Sequence, residues 1–521
     1  MNPLPQSSVR GTRHLVAAAD ALASRAGDEM FRLGGNAVDA AIATNAAIAV
    51  TGPHLCGMGG DLFALIHTGN EVVALNSSGR SGSLADASKL REEGHSVMPL
   101  RHDIRTVTMP GCVDGWFALH SRFGSLPIET ILQPAIDLAE NGFPASPLLV
   151  GALRRVDSAG QAHLAELASQ ATHAGAVVRR LGVGRTLRAI ARGGRDEFYF
   201  GEFGRGLQQL GADLFTESDF RVQSSEWVRP LSAHAFGVDL HTIPPNSQGY
   251  LTLAAAVLAD AIDAGDPEGD AWAHVLIEAA KVAGFDRPAV LHERANGDEL
   301  IERVRRRSSQ LDRVHASQLA AATNDGDTTY LCTAERDGYA VSLIQSNASG
   351  FGSWLVEPNT GINLHNRGLG FSLAEGHPAE FAPRRRPPHT LSPALATRNG
   401  EFVSVFGTMG GDAQPQILLQ IASRLFQHGE SPAAAIHAAR WALAGPTTGF
   451  DTWDDMSRQV VNLEAHAPST WRSRLTARGH RIRMVPEWDS GFGHAHAIVR
   501  DSDGLVGAAD PRARVSAVIG R

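Results

Sequence analysis

Cysteine is scarce, with Cys56, Cys112 and Cys332 standing far apart in 521 residues. They form no CxxC pair and no Cys/His set at ligand spacing, which argues against a disulfide framework and against a zinc site. A reducing, cytoplasmic setting fits that usage best. Positive charge is also short: 47 Lys and Arg against 55 Asp and Glu give a net charge of -8. Such a balance offers no general attraction for nucleic acid or anionic lipid, so a small-molecule substrate is the better expectation. No apolar run is long enough to cross a bilayer, and Met1-Asn2-Pro3-Leu4-Pro5-Gln6 lacks the basic-then-apolar pattern of a signal peptide. Neither export nor a membrane partner is expected. Internal repeats, low-complexity tracts and disordered linkers are missing too, and nothing implies a metal or an organic cofactor.

What is present is an ordinary globular balance, 43% hydrophobic and 20% charged, enough to bury a large core. Alanine-rich periodicity over residues 14–50, broken at Gly34-Gly35-Asn36, predicts two helices joined by a tight turn. The glycine-dense Pro53-His54-Leu55-Cys56-Gly57-Met58-Gly59-Gly60-Asp61 leads into strands expected over 62–67 and 71–75. Residues 134–142, 251–264 and 271–284 read as helices, and Pro244-Pro245-Asn246-Ser247 as a connection. After Asp327 the texture turns to strands, at 330–333 and 340–345 around an Asp337-Gly338 hairpin signal, then at 401–406, 495–500 and 505–509. The basic runs Arg305-Arg306-Arg307 and Arg384-Arg385-Arg386 read as solvated surface.

A threonine hydroxyl is a poor nucleophile until a base takes its proton, and one source of that base is the residue's own α-amine once the preceding peptide bond is cut. In Gly326-Asp327-Thr328-Thr329-Tyr330 a polar loop ends at a threonine that opens a strand. By local pattern alone such a threonine is structural. Likewise Thr408-Met409-Gly410-Gly411-Asp412 reads by itself as a turn closing a strand. Gly57-Met58-Gly59-Gly60 lacks the spacing of a phosphate cradle and reads as a structural turn.

Several ordered segments together resemble the gamma-glutamyltranspeptidase family of N-terminal nucleophile hydrolases. They include residues 34–41, 53–60, 110–116, 132–136 and 140–144, then Asp327-Thr328-Thr329-Tyr330, Gly338–Ser342, Phe351-Gly352-Ser353, Leu391-Ser392-Pro393 and Gly410-Gly411. The resemblance spans nearly the whole chain. It implies a four-layer αββα sandwich, α/β in class, in which a helix-rich large chain and a strand-rich small chain share one core. It also implies a proenzyme that cuts itself between Asp327 and Thr328, giving chains 1–327 and 328–521 that stay together as a heterodimer, with further oligomerisation open. Thr328 would be the nucleophile and Ser346 the hydroxyl that hydrogen-bonds it. The backbone N–H groups of Gly410 and Gly411 would hold the oxyanion. Thr329 and Ser392 are lesser candidates.

The same resemblance places Arg80 as the grip on a substrate carboxylate, with His389 and Thr390 where the family has paired serines. The remaining glutamyl pocket departs from the family pattern. Ala348 stands where an asparagine is expected, Arg367 replaces a Glu or Gln, and Gly370 replaces an Asp, removing three acceptors for an α-ammonium. An ammonium facing Arg367 in a closed pocket would be repelled unless that arginine turns away, the alternative being that Arg367 makes only a structural ion pair. The motif His365-Asn366-Arg367-Gly368 is similar instead to the branch containing oxamate amidohydrolase and glutaryl-cephalosporin acylases. The expected activity is hydrolysis or transfer of amides whose acyl part carries a carboxylate. A conventional gamma-glutamyltranspeptidase or glutathione hydrolase is one alternative, and a silent member with a binding role is another.

Overall fold

The computed structural model describes residues 7–317, 328–444, 450–453 and 460–521. Two seven-stranded antiparallel sheets face each other. The first runs Ala517–Gly520, His14–Ala18, Thr329–Glu335, Ala340–Ser346, Asp61–His67, Val72–Ser77, Glu226–Val228. The second runs Val9–Gly11, Leu505–Ala509, His496–Arg500, Glu401–Gly407, Ala394–Arg398, Val238–Thr242, Leu231–Ala235.

Period-two alternation builds the layers. From Thr329–Glu335, Tyr330, Cys332 and Ala334 enter the apolar layer between the sheets with Phe63, Ile344, Leu395 and Ile498. Leu331, from the same strand, faces the opposite way onto helices. Helices Ala21–Arg32, Ala37–Thr51 and Ile128–Asn141 pack there, while Tyr250–Asp260, Asp270–Gly284 and Gln414–Ala422 cover the other sheet. This is the expected αββα sandwich. Each large apolar side chain buried this way contributes about 1.5–3 kcal/mol.

Helix Ala37–Thr51 is buried on every side, with no residue of it exposed. Its start is fixed by Asn36, whose side chain accepts from the N–H groups of Val38 and Asp39 while Asp39 accepts from Asn36 in return. The expectation of two helices over residues 14–50 needs one correction. His14–Ala18 is a central strand, buried throughout, and only then come Ala21–Arg32 and Ala37–Thr51. A strand covered on both faces loses its alternation and cannot be told from a buried helix by pattern. The expected hairpin is present, with Thr329–Glu335 paired to Ala340–Ser346. The basic run at 384–386 is also corrected in part, because Arg386 is buried, donating to Glu226 and to the Ser224 carbonyl. No helix among the described residues is long and apolar enough to cross a membrane.

Candidate active site

Hairpin register sets the first pair. Thr329 lies opposite Gln345, so the next rung brings Thr328 against Ser346, and their hydroxyl oxygens are 2.9 Å apart. On the neighbouring strand Ser346 is paired with Asp61, which aligns Thr328, Ser346 and Asp61 in one row across three strands. All three are buried. Ser346 Oγ also accepts from the Ala348 N–H at 2.7 Å and, at 3.4 Å, from Arg367 Nη2. Ala348 holds a left-handed φ of 73° to make that contact.

Arg367 sits in the short turn Arg367–Gly370 and is fully buried. Its Nη1 donates to Thr390 Oγ1 at 3.0 Å, and its Nε lies 3.9 Å from Asp61 Oδ2. Burial pushes the guanidinium down to about 10 despite Asp61, which leaves it cationic at neutral pH. Asp61 is the centre of charge. Its Oδ1 accepts from the Gly79 N–H and its Oδ2 from His389 Nε2, each at 2.9 Å, with His365 Nδ1 3.6 Å away. Burial alone would raise this carboxyl, but His365, His389 and Arg367 outweigh burial and hold it at about 2.

His389 is neutral for a matching reason: burial, reinforced by Arg367, lowers it to about 3. Its Nδ1 accepts from the Leu391 N–H at 3.2 Å, so the proton is on Nε2, donated to Asp61. The segment carrying His389 and Thr390 is held by residues 246–248: the His389 N–H donates to the Asn246 carbonyl, and the Gln248 N–H to the His389 carbonyl. Gln248 Nε2 then bridges the carbonyls of Thr390 and Gly411.

Gly410 and Gly411 have φ of 131° and 55°, a conformation that suits glycine, and no described residue accepts from either N–H. A cavity of about 400 Å³ opens beside Arg367 and Thr390, walled by Met98, Leu291, Phe371 and Phe450 and also lined by Arg287 and Asp451. The departure at Gly370 has a steric cause. A Cβ there would lie 2.4 Å from the Pro388 carbonyl oxygen, so an aspartate has no room on this backbone.

Thr328, Ser346, Arg367, Thr390, His389 and Gly411 are thus joined through hydrogen bonds or through Asp61 and Gln248. Arg80 is not brought to them. Its Nη1 donates to Glu293 Oε2 at 2.9 Å and to the Arg384 carbonyl at 3.1 Å, and it does not line the cavity. Glu293 also accepts from Arg385 and from the Arg386 N–H, an acid surrounded by basic groups that holds Arg80 outside. Asp327 lies outside the described residues. Of the lesser hydroxyls, Ser392 hydrogen-bonds locally to the Thr390 carbonyl and to Gln414. Asp61, His365, Gln248 and Arg287 were not singled out from the sequence. Asp61 carried one readable signal, a carboxylate immediately before the apolar run Leu62-Phe63-Ala64-Leu65-Ile66.

A sequence model of gamma-glutamyltranspeptidase matches residues 23–520. The chain belongs to that family. It is 34% identical to the glutathione hydrolase-like YwrD proenzyme of Bacillus subtilis, covering 98% of this chain and 99% of that protein. It is 32% identical to the oxamate amidohydrolase proenzyme of Klebsiella pneumoniae, covering 98% and 99%. The crystal structure of the cephalosporin acylase from Bacillus halodurans superimposes with a TM-score of 0.90 at 32% identity, covering all of this chain and 98% of that one. The chain is accordingly an enzyme with the N-terminal nucleophile hydrolase fold, an amidohydrolase or acyltransferase rather than a silent binding protein.

Proposed function

We propose that this gamma-glutamyltranspeptidase-family enzyme cuts itself between Asp327 and Thr328, and that Thr328 then hydrolyses amides whose acyl group carries a carboxylate. Thr328 Oγ attacks the Asp327 carbonyl, the acyl group moves from nitrogen to oxygen and so frees the Thr328 amine, and water then cleaves the ester to release the Asp327 carboxylate and restore the Thr328 hydroxyl. That amine serves as general base when the hydroxyl next attacks a substrate amide. Gly410 and Gly411 offer N–H donors for the negative charge of each tetrahedral intermediate. The products of processing, residues 1–327 and 328–521, remain one body. Both contribute strands to the first sheet, where Thr329–Glu335 lies beside His14–Ala18 and Ala340–Ser346 beside Asp61–His67. Three free, buried cysteines support a reducing cytoplasmic setting.

The observation that carries the substrate reading is the buried cation at Arg367, joined to Thr328 through Ser346. The two links of 2.9 and 3.4 Å keep its Nη2 within 6.3 Å of the nucleophile's oxygen. A carboxylate on the acyl group meets a bidentate donor there, and an α-ammonium meets repulsion. The oxamate amidohydrolase and the cephalosporin acylase among its relatives support the same reading. One observation favours a γ-glutamyl substrate instead: Asp451 lines the cavity and could accept an ammonium. The test is kcat/KM for glutaryl-p-nitroanilide against γ-glutamyl-p-nitroanilide, which differ only in that ammonium. Preference for the glutaryl compound is expected; preference for the glutamyl compound would restore the conventional transpeptidase.

A further inference from the structure

Arg367 is not alone in the acyl cavity. Arg287, at the start of the short helix Arg287–Val290 in the large segment, lines the same space. Its side chain is only 9% exposed, and its Nη2 lies 3.4 Å from Asp412 Oδ1. Its Nε is buried without a hydrogen-bond partner, as is Arg367 Nε. A guanidinium carries five donors in a fixed fork, and leaving one unsatisfied in a buried setting is unfavourable. Here two such forks face one cavity with apolar walls, and among the described residues its one lining carboxylate is Asp451. Arg367 is tied to the nucleophile by Ser346, whereas no hydrogen bond joins Arg287 to Thr328 or Ser346 among the described residues; its ion pair is with Asp412.

We propose that Arg287 is a second carboxylate receptor, taking the distal carboxylate of dicarboxylic acyl groups longer than oxalyl, such as succinyl, glutaryl or adipoyl. This rests on the carboxylate-bearing acyl reading above. The two arginines divide the work by reach. A two-carbon oxalyl group held as an ester on Thr328 presents its carboxylate to Arg367, while a longer chain runs along Leu291 and Phe371 to Arg287. Because Asp412 adjoins Gly411, Arg287 could instead act only by neutralising Asp412 and steadying the oxyanion turn. The two roles differ in their signature. Loss of a receptor raises KM for long acyl groups alone, and loss of a support lowers kcat for every substrate.

The experiment measures ammonia release from oxamate, succinamate and glutaramate by the wild type, Arg287→Met and Arg287→Lys, with inhibition by free glutarate as a readout free of chemistry. Arg287→Lys keeps a positive charge for Asp412 if the Met variant fails to fold. A rise of about tenfold in KM for glutaramate and in Ki for glutarate is expected in Arg287→Met, with oxamate changed less than about threefold and a smaller shift in Arg287→Lys. Equal losses of kcat on oxamate and glutaramate, or no loss on either, would overturn the proposal while leaving the carboxylate-acyl reading intact. A wild type that cleaves none of the three would overturn both.

Discussion

Replacing Asp61 by asparagine removes a charge while keeping the shape, and the structure fixes what should follow. The carboxylate is fully buried and lies 3.9 Å from Arg367 Nε, a guanidinium that is itself buried. At that separation and an effective dielectric constant of 20, the Coulomb attraction is about 4 kcal/mol. Asparagine can still accept from the Gly79 N–H or from His389 Nε2, so hydrogen-bond loss is the smaller part. Breaking a buried pair on one side costs about 3–5 kcal/mol, because the remaining charge stays uncompensated. Denaturant unfolding at neutral pH should therefore show Asp61→Asn less stable by about 3 kcal/mol or more. Arg367 should also lose its position, so KM for a carboxylate-bearing amide should rise in whatever processed enzyme forms. Stability within about 0.5 kcal/mol of wild type, together with an unchanged KM, would refute the view that Asp61 holds Arg367 in place.

Other expectations follow from the same geometry. A bulky side chain at Gly411, where φ is 55°, should move the backbone donor, and Gly411→Val should lower kcat about a hundredfold with little change in KM; an unaltered kcat in processed protein would remove the glycine pair from the oxyanion site. Arg367→Ala should lower kcat/KM on a carboxylate-bearing amide by about tenfold or more, and Arg80→Ala, which breaks a partly exposed pair with Glu293, by much less; the reverse order in steady-state assays would return Arg80 to the pocket. Stability should fall in acid. Burial lowers His54, His389 and His496 to about 3, and His241 and His494 to about 4. Unfolded histidines titrate near 6.5, so the stabilisation from keeping these neutral is complete above that pH and is lost as pH falls toward 3–4, by about 1.4 kcal/mol per pH unit for each proton taken up on unfolding. Asp61 adds to the loss only below about 4, as it nears its folded value of about 2. Unfolding free energies that stay flat from pH 7.5 to 5 would contradict this.

Much of the site was legible only through the family resemblance, which pointed to Thr328, Ser346, Gly410 and Gly411, and the structure supplies a physical reason for the first pair. The Asp337-Gly338 turn sets the pairing, and the pairing places Ser346 opposite Thr328. Arg367 and Thr390 were legible as departures from a known motif, and the structure adds a steric reason for Gly370. What was not legible depends on partners distant in the chain. Arg80 occupies the expected position, but Glu293, a residue 213 places away, decides where its guanidinium goes. Asp61 gathers Gly79, His365, Arg367 and His389 from three segments, and no local pattern announces that convergence. The strand His14–Ala18 was misread because a segment buried on both faces keeps no period to distinguish it from a helix.

The central claim is that Thr328 becomes a new N-terminus and is itself the nucleophile. Intact-mass analysis and N-terminal sequencing of freshly purified protein test it most directly, with Thr328→Ala alongside. The account predicts two wild-type chains, one of 327 residues and one starting at Thr328 with the remaining 194 of 521, and a Thr328→Ala protein that stays whole and inactive. A wild type that is fully active as a single uncut chain would contradict it.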